Sequence, residues 1–138
     1  MKTALIVNLV VPDTTAITAR KTLARMGISL ENVKRSEYYS FEADSDLFEN
    51  VSTCDVLVNV NKHTASKELE KQDGWTYILV KDKDPATNLQ TMLNTRFNFG
   101  IHTLEKGVIW ALPCTVEQAK NITEELLHNP HYQEYSIL

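Results

Sequence analysis

Short apolar runs alternate with amphipathic segments along the whole chain. β-Branched and aromatic side chains dominate six of these runs, at 3–11, 33–43, 55–61, 75–81, 103–112 and 132–138, which predicts strands. Three other segments carry apolar residues at spacings of three and four, which predicts helices. Strands and helices in this order predict an α+β fold, in which antiparallel sheets carry helices on one face.

Local signals mark the ends of the first helix and a short turn after it. Asp13 or Thr14 is expected to cap a helix that runs to about Met26, where Gly27 ends it. Ser45 is expected to cap a short helical turn.

The second half repeats these signals. Pro85 opens a helix that Gly100 ends, and Thr115 with Gln118 forms a capping box for the last helix. We expect these helices to bury one apolar stripe each, including Leu23, Met92, Ile122 and Leu126.

The order of these landmarks predicts an internal duplication. The matched pairs are Pro12 and Pro85, Gly27 and Gly100, and Ser45 and Thr115. The first two pairs are 73 residues apart and the third is 70 apart. The chain would then be one domain of two related halves, about 1–61 and 75–138, joined by a polar linker at 62–74 and related by a pseudo-twofold axis. Coincidence is the alternative, since proline before a helix and glycine after it are common.

Composition limits the partners and the compartment. The chain has 138 residues, enough for one domain without a metal or disulfide, and a net charge of −4. That charge argues against a nucleic-acid partner or an anionic membrane, and no apolar run reaches the ~18 residues of a membrane helix.

The N-terminal run resembles a signal peptide, but Pro12-Asp13 replaces the cleavage site, so we expect a strand. Cys54 and Cys114 are expected to be free thiols in the cytoplasm.

Two histidines near the C-terminus are the most obvious candidate metal ligands. His128 and His131 are three residues apart, but Pro130 between them cannot continue a helix. No further ligand stands nearby in sequence. We therefore expect no metal site, and we interpret the stretch as the end of the last helix, an Asn-Pro stop and a final strand.

Candidate catalytic residues are isolated in the sequence. Cys114 precedes a helix N-terminus, which would stabilise a thiolate, but no histidine is tied to it, and His63 and His102 have no partners in sequence. Cofactor-binding glycine motifs are missing as well. We expect no catalytic residue and no cofactor.

A small basic and aromatic patch is the one candidate partner surface. Lys34, Arg35 and Tyr38 lie in the second strand, and Glu105 and Lys106 occupy the corresponding place in the second half. We expect these five residues to lie at strand edges and loops and to contact a partner. A solvated strand edge with core tyrosines is the alternative.

Two stretches resemble a known family. LLHNPHYQEYSI resembles the end of PurS, the small subunit of phosphoribosylformylglycinamidine synthase, and KTLARMGISLENVKRSEYYSFEAD resembles its helix, loop and second strand. The second half is similar to part of the N-terminal domain of the single-chain synthase, including Leu104-Glu105-Lys106-Gly107-Val108. PurS itself covers about half of this chain, and KDKDPATNLQ replaces a turn of the single-chain synthase.

The resemblance implies a fold and a role. It implies a duplicated ferredoxin-like, PurS-like sandwich without catalytic residues, which joins the synthetase and the glutaminase of an ATP- and glutamine-dependent ligase in purine biosynthesis. Whether the chain is itself called an enzyme stays open, and so does a homodimer formed through exposed strand edges.

Two other functions remain as alternatives. The chain could be a small-molecule-binding regulatory module, since duplicated sandwiches of this kind also bind amino acids between paired units. A ferredoxin-like fold could also support a small enzyme using Cys114 or a histidine. Fold alone does not choose among these functions.

Overall fold

The computed structural model describes all of residues 1–138. Six strands form: β1 (Lys2–Leu9), β2 (Lys34–Glu42), β3 (His63–Ser66), β4 (Thr76–Asp82), β5 (Thr103–Leu112) and β6 (Gln133–Ile137). Four α-helices accompany them: α1 (Thr14–Arg25), α2 (Phe48–Ser52), α3 (Thr87–Phe97) and α4 (Val116–Ile122). A π-helical turn, Thr123–Leu127, continues α4.

All six strands belong to one antiparallel sheet with the order β3-β1-β2-β5-β4-β6. The fold is therefore α+β and compatible with the ferredoxin-like type. Separate sheets do not form, because β2 and β5 pair along nine residue positions from Lys34↔Ala111 to Glu42↔Thr103. That pairing makes β2 and β5 the central strands and leaves β3 and β6 at the two edges.

The helices pack on one face of the sheet, in two clusters. One cluster joins α2 and α3 to β1 and β2 through side chains such as Val51, Leu93, Leu5 and Phe41. The other joins α1 and α4 to β4 and β5 through Leu23, Ile122, Ile78 and Leu112. Helix α1 thus packs over the strands of the second half, and α3 over strands of the first.

Most predicted elements are confirmed. The strands predicted at 3–11, 33–43, 75–81, 103–112 and 132–138 correspond to β1, β2, β4, β5 and β6. Asp13 caps α1 by accepting from the backbone N–H of Thr15 and Ala16, and Thr115 with Gln118 forms the capping box of α4. Gly27 follows α1 with φ +88°, a conformation that glycine adopts without steric cost.

The predicted strand at 55–61 is wrong. Leu57 and Val58 are both buried although they are adjacent, and both backbone N–H groups donate to the carbonyl of Cys54 in a turn. Asn59 then accepts the N–H of Asn61 on its side chain. Local hydrogen bonds of asparagine of this kind compete with strand pairing. The strand begins later, at His63, inside the segment predicted as a linker.

Smaller corrections concern helix ends and helix faces. Asp46, not Ser45, accepts the backbone N–H of Phe48 at the start of α2. In α3 the fully buried residue is Leu93, and Met92 is half-buried. The predicted burial of Leu23 and Ile122 is confirmed, whereas Leu126 is only half-buried. Helix α3 ends at Phe97, and the capping residue after it is Asn98, with φ +56°, two residues before Gly100.

Residues 67–75, here named the crossing segment, connect the edge strand β3 to β4 on the far side of the sheet. The segment crosses the face that carries no helix. Leu69 and Trp75 pack there against a cluster formed by Ile6, Tyr77, Ile109 and Ala111. The N–H of Gln72 donates to the hydroxyl of Tyr77 at 2.8 Å.

Candidate functional site

The helix-free face has two ends of different character. Its apolar centre is covered by the crossing segment, and polar side chains lie on either side of that centre. We name them the paired end (Lys81, Glu105 and Glu134) and the open end (Asn8, Lys34 and Ser36). Strand pairing places both sets on this face, because residues alternate between faces along a strand.

At the paired end, charges of opposite sign neutralise one another. Lys81 Nζ lies 3.0 Å from Glu105 Oε2 and 3.6 Å from Glu134 Oε1. The hydrogen bond to Glu105 is the main reason why the pKa of Lys81 is raised above its ordinary value, and the charges of both carboxylates add to it. The lysine therefore stays charged throughout the neutral range and is tied to its two neighbours.

At the open end, the one charged residue, Lys34, has no carboxylate partner. The side chain of Lys34 forms no ion pair and no hydrogen bond within the protein, and its Nζ lies 5.0 Å from the centre of the Trp75 ring. Its neighbours on this face are neutral: Asn8 and Ser36 hydrogen-bond to each other through their side chains. Lys34 also lines a cavity of about 410 Å³ between the crossing segment and the sheet.

Arg35, the next residue, is a structural cation. Its Nε lies 3.1 Å from Asp13 Oδ2 and its Nη1 lies 3.4 Å from Glu37 Oε1. Asp13 uses its other oxygen, Oδ1, to cap α1. The side chains of Arg35 and Asp13 are only 18% and 14% exposed, so this pair fastens the start of α1 to β2.

The structure divides the five residues predicted to contact a partner. Lys34, Tyr38 and Glu105 lie on the helix-free face, whereas Arg35 and Lys106 lie on the helix-bearing face, opposite Trp110 and Tyr39. The expectation that they lie at strand edges is wrong, because β2 and β5 are the central strands. Tyr38 packs on the apolar centre, and only Lys34 and Lys106 are exposed cations without a carboxylate partner.

The C-terminal histidines occupy the turn before β6. His128 Nε2 lies 3.1 Å from the carbonyl oxygen of Gln133, and its ring meets Tyr135 edge-on at 5.0 Å between centres. His131 lies within the turn that follows Asn129 and donates its backbone N–H to the side chain of Asn129. No group of three or more histidine, cysteine, aspartate or glutamate side chains is arranged to hold a metal ion.

The two cysteines and the other two histidines are also separate from one another. Cys54 is buried, and burial raises the pKa of the Cys114 thiol above its ordinary value. The position before α4 therefore does not give Cys114 the lowered pKa of a reactive thiolate. His102 Nε2 lies 2.9 Å from Asp44 Oδ1, and His63 Nδ1 accepts the N–H of Asn59. No acid, base and nucleophile come together.

Sequence reasoning missed Lys81, Glu134 and Glu70. Lys81 lies on β4 and Glu134 on β6, and the contact between them depends on the pairing of these two strands. Hydrophobic periodicity does not specify which strands pair. Glu70 lies in the segment that the sequence predicts to be a polar linker, and its position follows from the course of that segment across the sheet. The run Lys81-Asp82-Lys83-Asp84 was a visible signal of charge on β4, but it does not identify a partner.

Comparison with known proteins adds no assignment. No protein-family model matches the chain, and no curated protein matches it in sequence. None of the helices has the length and apolar composition needed to cross a bilayer.

Proposed function

We propose that this chain is a non-catalytic assembly component of phosphoribosylformylglycinamidine synthase in the cytoplasm, where it joins the synthetase to the glutaminase. The family resemblance of LLHNPHYQEYSI is the starting point. The observation that carries the proposal is the turn formed by that stretch, because the same turn ends the first half of the chain.

The two turns share their hydrogen bonds, one by one. Asn129 accepts the N–H of His131 on its side chain, and its carbonyl accepts the N–H of Gln133. Asn59 does the same with Asn61 and His63, 70 residues earlier. In each turn, one backbone carbonyl also accepts a hydrogen bond from the segment that follows the neighbouring strand. The carbonyl of Lys62 accepts the N–H of Val10, and the carbonyl of Tyr132 accepts the N–H of Lys83.

These turns support an internal duplication with a pseudo-twofold axis. Both halves have the order strand, helix, strand, helix, strand, and the sheet reads β3-β1-β2 from one edge and β6-β4-β5 from the other. The axis would pass between Glu37 and Val108, which pair with each other. The chain would then be two PurS-like units fused in one polypeptide.

A duplicated unit of this shape suits a bridge. The sheet has two outer strands, β3 and β6, each with one side unpaired, and five inter-strand gaps of ~4.8 Å put them about 24 Å apart. Two separated surfaces allow two partners to be held at once. Holding them together raises the effective concentration of one at the other, so that ammonia from the glutaminase reaches the synthetase before it escapes.

Among the five residues predicted to contact partners, Lys106 is the one we propose to keep in that role. Lys106 is exposed and has no carboxylate partner, whereas Glu105 is half-buried and paired with Lys81 within the chain. Lys34 lines the cavity at the open end. Arg35 is excluded, because both of its carboxylate contacts are within the chain. Tyr38 is mostly used in packing.

Complex formation tests the proposal. We expect a mixture of the synthetase component, the glutaminase component and this chain to elute from a sizing column as one complex, with light scattering giving the sum of the masses. The charge reversal Lys106→Glu should weaken that complex. Lys21→Glu changes the net charge equally at an exposed position of α1 and should leave it intact. Failure of the wild-type chain to join either component would overturn the proposal.

A second candidate function has one observation in its favour. The cavity at the open end suits a small-molecule-binding regulatory module.

A further inference from the structure

The cavity at the open end has the size of a small-molecule site. Its volume of about 410 Å³ lies within the range of roughly 300–1,000 Å³ that ligand sites occupy. Apolar side chains from both of its walls line it, including Leu9, Leu69 and Tyr77. The crossing segment and the ends of the strands line the cavity, together with Val11 and Asp13 of the connection between β1 and α1.

Four charged residues line this cavity, and the opposite charges of two of them neutralise each other. Asp13 and Arg35 form the ion pair that fastens α1 to β2. Lys34 and Glu70 remain, one on each wall, and neither takes part in an ion pair or a side-chain hydrogen bond of the protein. The cavity thus presents one cation, whose only neighbour described above is the Trp75 ring, and one anion, neither of them in an ion pair.

A neighbouring cavity extends the negative side. It has a volume of about 350 Å³, shares Asn8, Leu69 and Glu70 with the first, and adds Glu68. The combined space is negative towards β3, where Glu68 and Glu70 lie, and positive at Lys34. A ligand with separated charges of both signs would match this polarity, whereas a ligand of one sign would meet repulsion at one end.

We propose that the open end binds a free α-amino acid with an apolar side chain. The carboxylate would be held by Lys34, the ammonium by Glu70 with Glu68 behind it, and the side chain by Leu69 and Tyr77. Charge-assisted hydrogen bonds of this kind are stronger than neutral ones. This proposal rests on the second candidate function, the small-molecule-binding module, and is independent of the bridging role.

Titration with L-leucine, followed by amide NMR of the whole chain, tests the site. We expect saturable shifts centred on Lys34, Ser36, Glu70 and Gln72. N-acetyl-L-leucine lacks the ammonium and L-leucinamide lacks the carboxylate, so each should bind at least about tenfold more weakly, which corresponds to about 1.4 kcal/mol. L-Aspartate, whose side chain is charged, should also bind more weakly than L-leucine.

Variants locate the binding. Lys34→Met and Glu70→Gln should each weaken L-leucine binding about tenfold or more, while Lys106→Met, on the other face of the sheet, should leave it unchanged. No saturable binding of L-leucine to the wild-type chain would overturn the proposal. Equal binding of the blocked analogues, or binding that Lys34→Met does not weaken, would overturn it as well.

Discussion

The two ends of the helix-free face share one framework and differ in their side chains. At the paired end, Lys81 of β4 lies between Glu134 of β6 and Gly107 of β5. At the open end, Asn8 of β1 holds the corresponding place, between Thr64 of β3 and Ser36 of β2. One row carries charges that are satisfied inside the sheet, and the other is neutral.

This difference determines what each end has left to offer. Lys81 is ion-paired with the carboxylates of Glu105 and Glu134, so the paired end contributes to the stability of the fold. The neutral row leaves Lys34 with only a tryptophan ring beside it, and the crossing segment encloses space there. The same strand pairing therefore yields a structural cluster at one end and a candidate binding site at the other.

The largest expected effect comes from Gly107→Ala in the charged row. A Cβ at Gly107 would lie 2.6 Å from the carbonyl oxygen of Val80 and 3.0 Å from Cα of Lys81. Because these are backbone atoms, β4 and β5 must move apart, and we expect a loss of about 2–3 kcal/mol in the free energy of unfolding. Ser36→Ala, in the neutral row, removes only a side-chain hydrogen bond and should cost about 1 kcal/mol. Urea unfolding measures both, and equal stabilities of the two variants would contradict the account.

The second-largest effect concerns the ion pair of Arg35 with Asp13, which we expect to stabilise the fold. Asp13→Ala removes the cap of α1 and the partner of Arg35 together, and should cost about 2 kcal/mol. Asp13→Asn keeps an oxygen that can cap the helix but loses the charge, so its cost should be about half as large. Thermal unfolding distinguishes the two. If Asp13→Ala is as stable as the wild type, Arg35 is free to bind a ligand instead.

The pH dependence of the paired end is a smaller effect. The pKa of Lys81 is raised in the folded chain, so its ion pairs stabilise the fold below the ordinary lysine pKa of about 10.5. That stabilisation is lost as the pH rises through the raised pKa. At pH 7, Lys81→Met should cost about 0.5–1 kcal/mol. An NMR titration of the Lys81 side chain should give a pKa above 10.5, which Glu105→Gln lowers; no change in Glu105→Gln would contradict the assignment.

The smallest effect is expected at the open end itself. Lys34 forms no ion pair, so Lys34→Met should change the free energy of unfolding by no more than about 0.5 kcal/mol. The same substitution at the exposed residue Lys106 is the matched control. A large destabilisation by Lys34→Met alone, measured by urea unfolding, would make Lys34 a structural residue and remove the contrast between the two ends.

Local signals in the sequence predicted much of the fold. Asp13, Gly27, Thr115 and Gln118 act within one turn of chain, and the structure places them as expected. The segment 55–61 shows where such signals fail. The alternation of apolar and polar residues in this segment suits a strand, but the hydrogen bonds of Asn59 impose a turn. Hydrophobic periodicity alone does not show which of these two structures is more stable.

The candidate site was much less predictable. Pairing of β2 with β5 joins two distant segments of the chain, and it moved the five predicted partner residues from the edges to the centre of the sheet. The course of the crossing segment brings Glu70 and Lys34 to one cavity, although 36 positions separate them. Both arrangements depend on long-range packing that composition and spacing leave undetermined.

The most direct test of the bridging role compares two nitrogen sources in the reconstituted synthase. With glutamine, ammonia must pass from the glutaminase to the synthetase, so synthesis should depend strongly on this chain. With added ammonia that transfer is bypassed, so omitting the chain should have a much smaller effect. The account predicts a large fall in the ratio of glutamine-dependent to ammonia-dependent rates when the chain is left out. An unchanged ratio would contradict it.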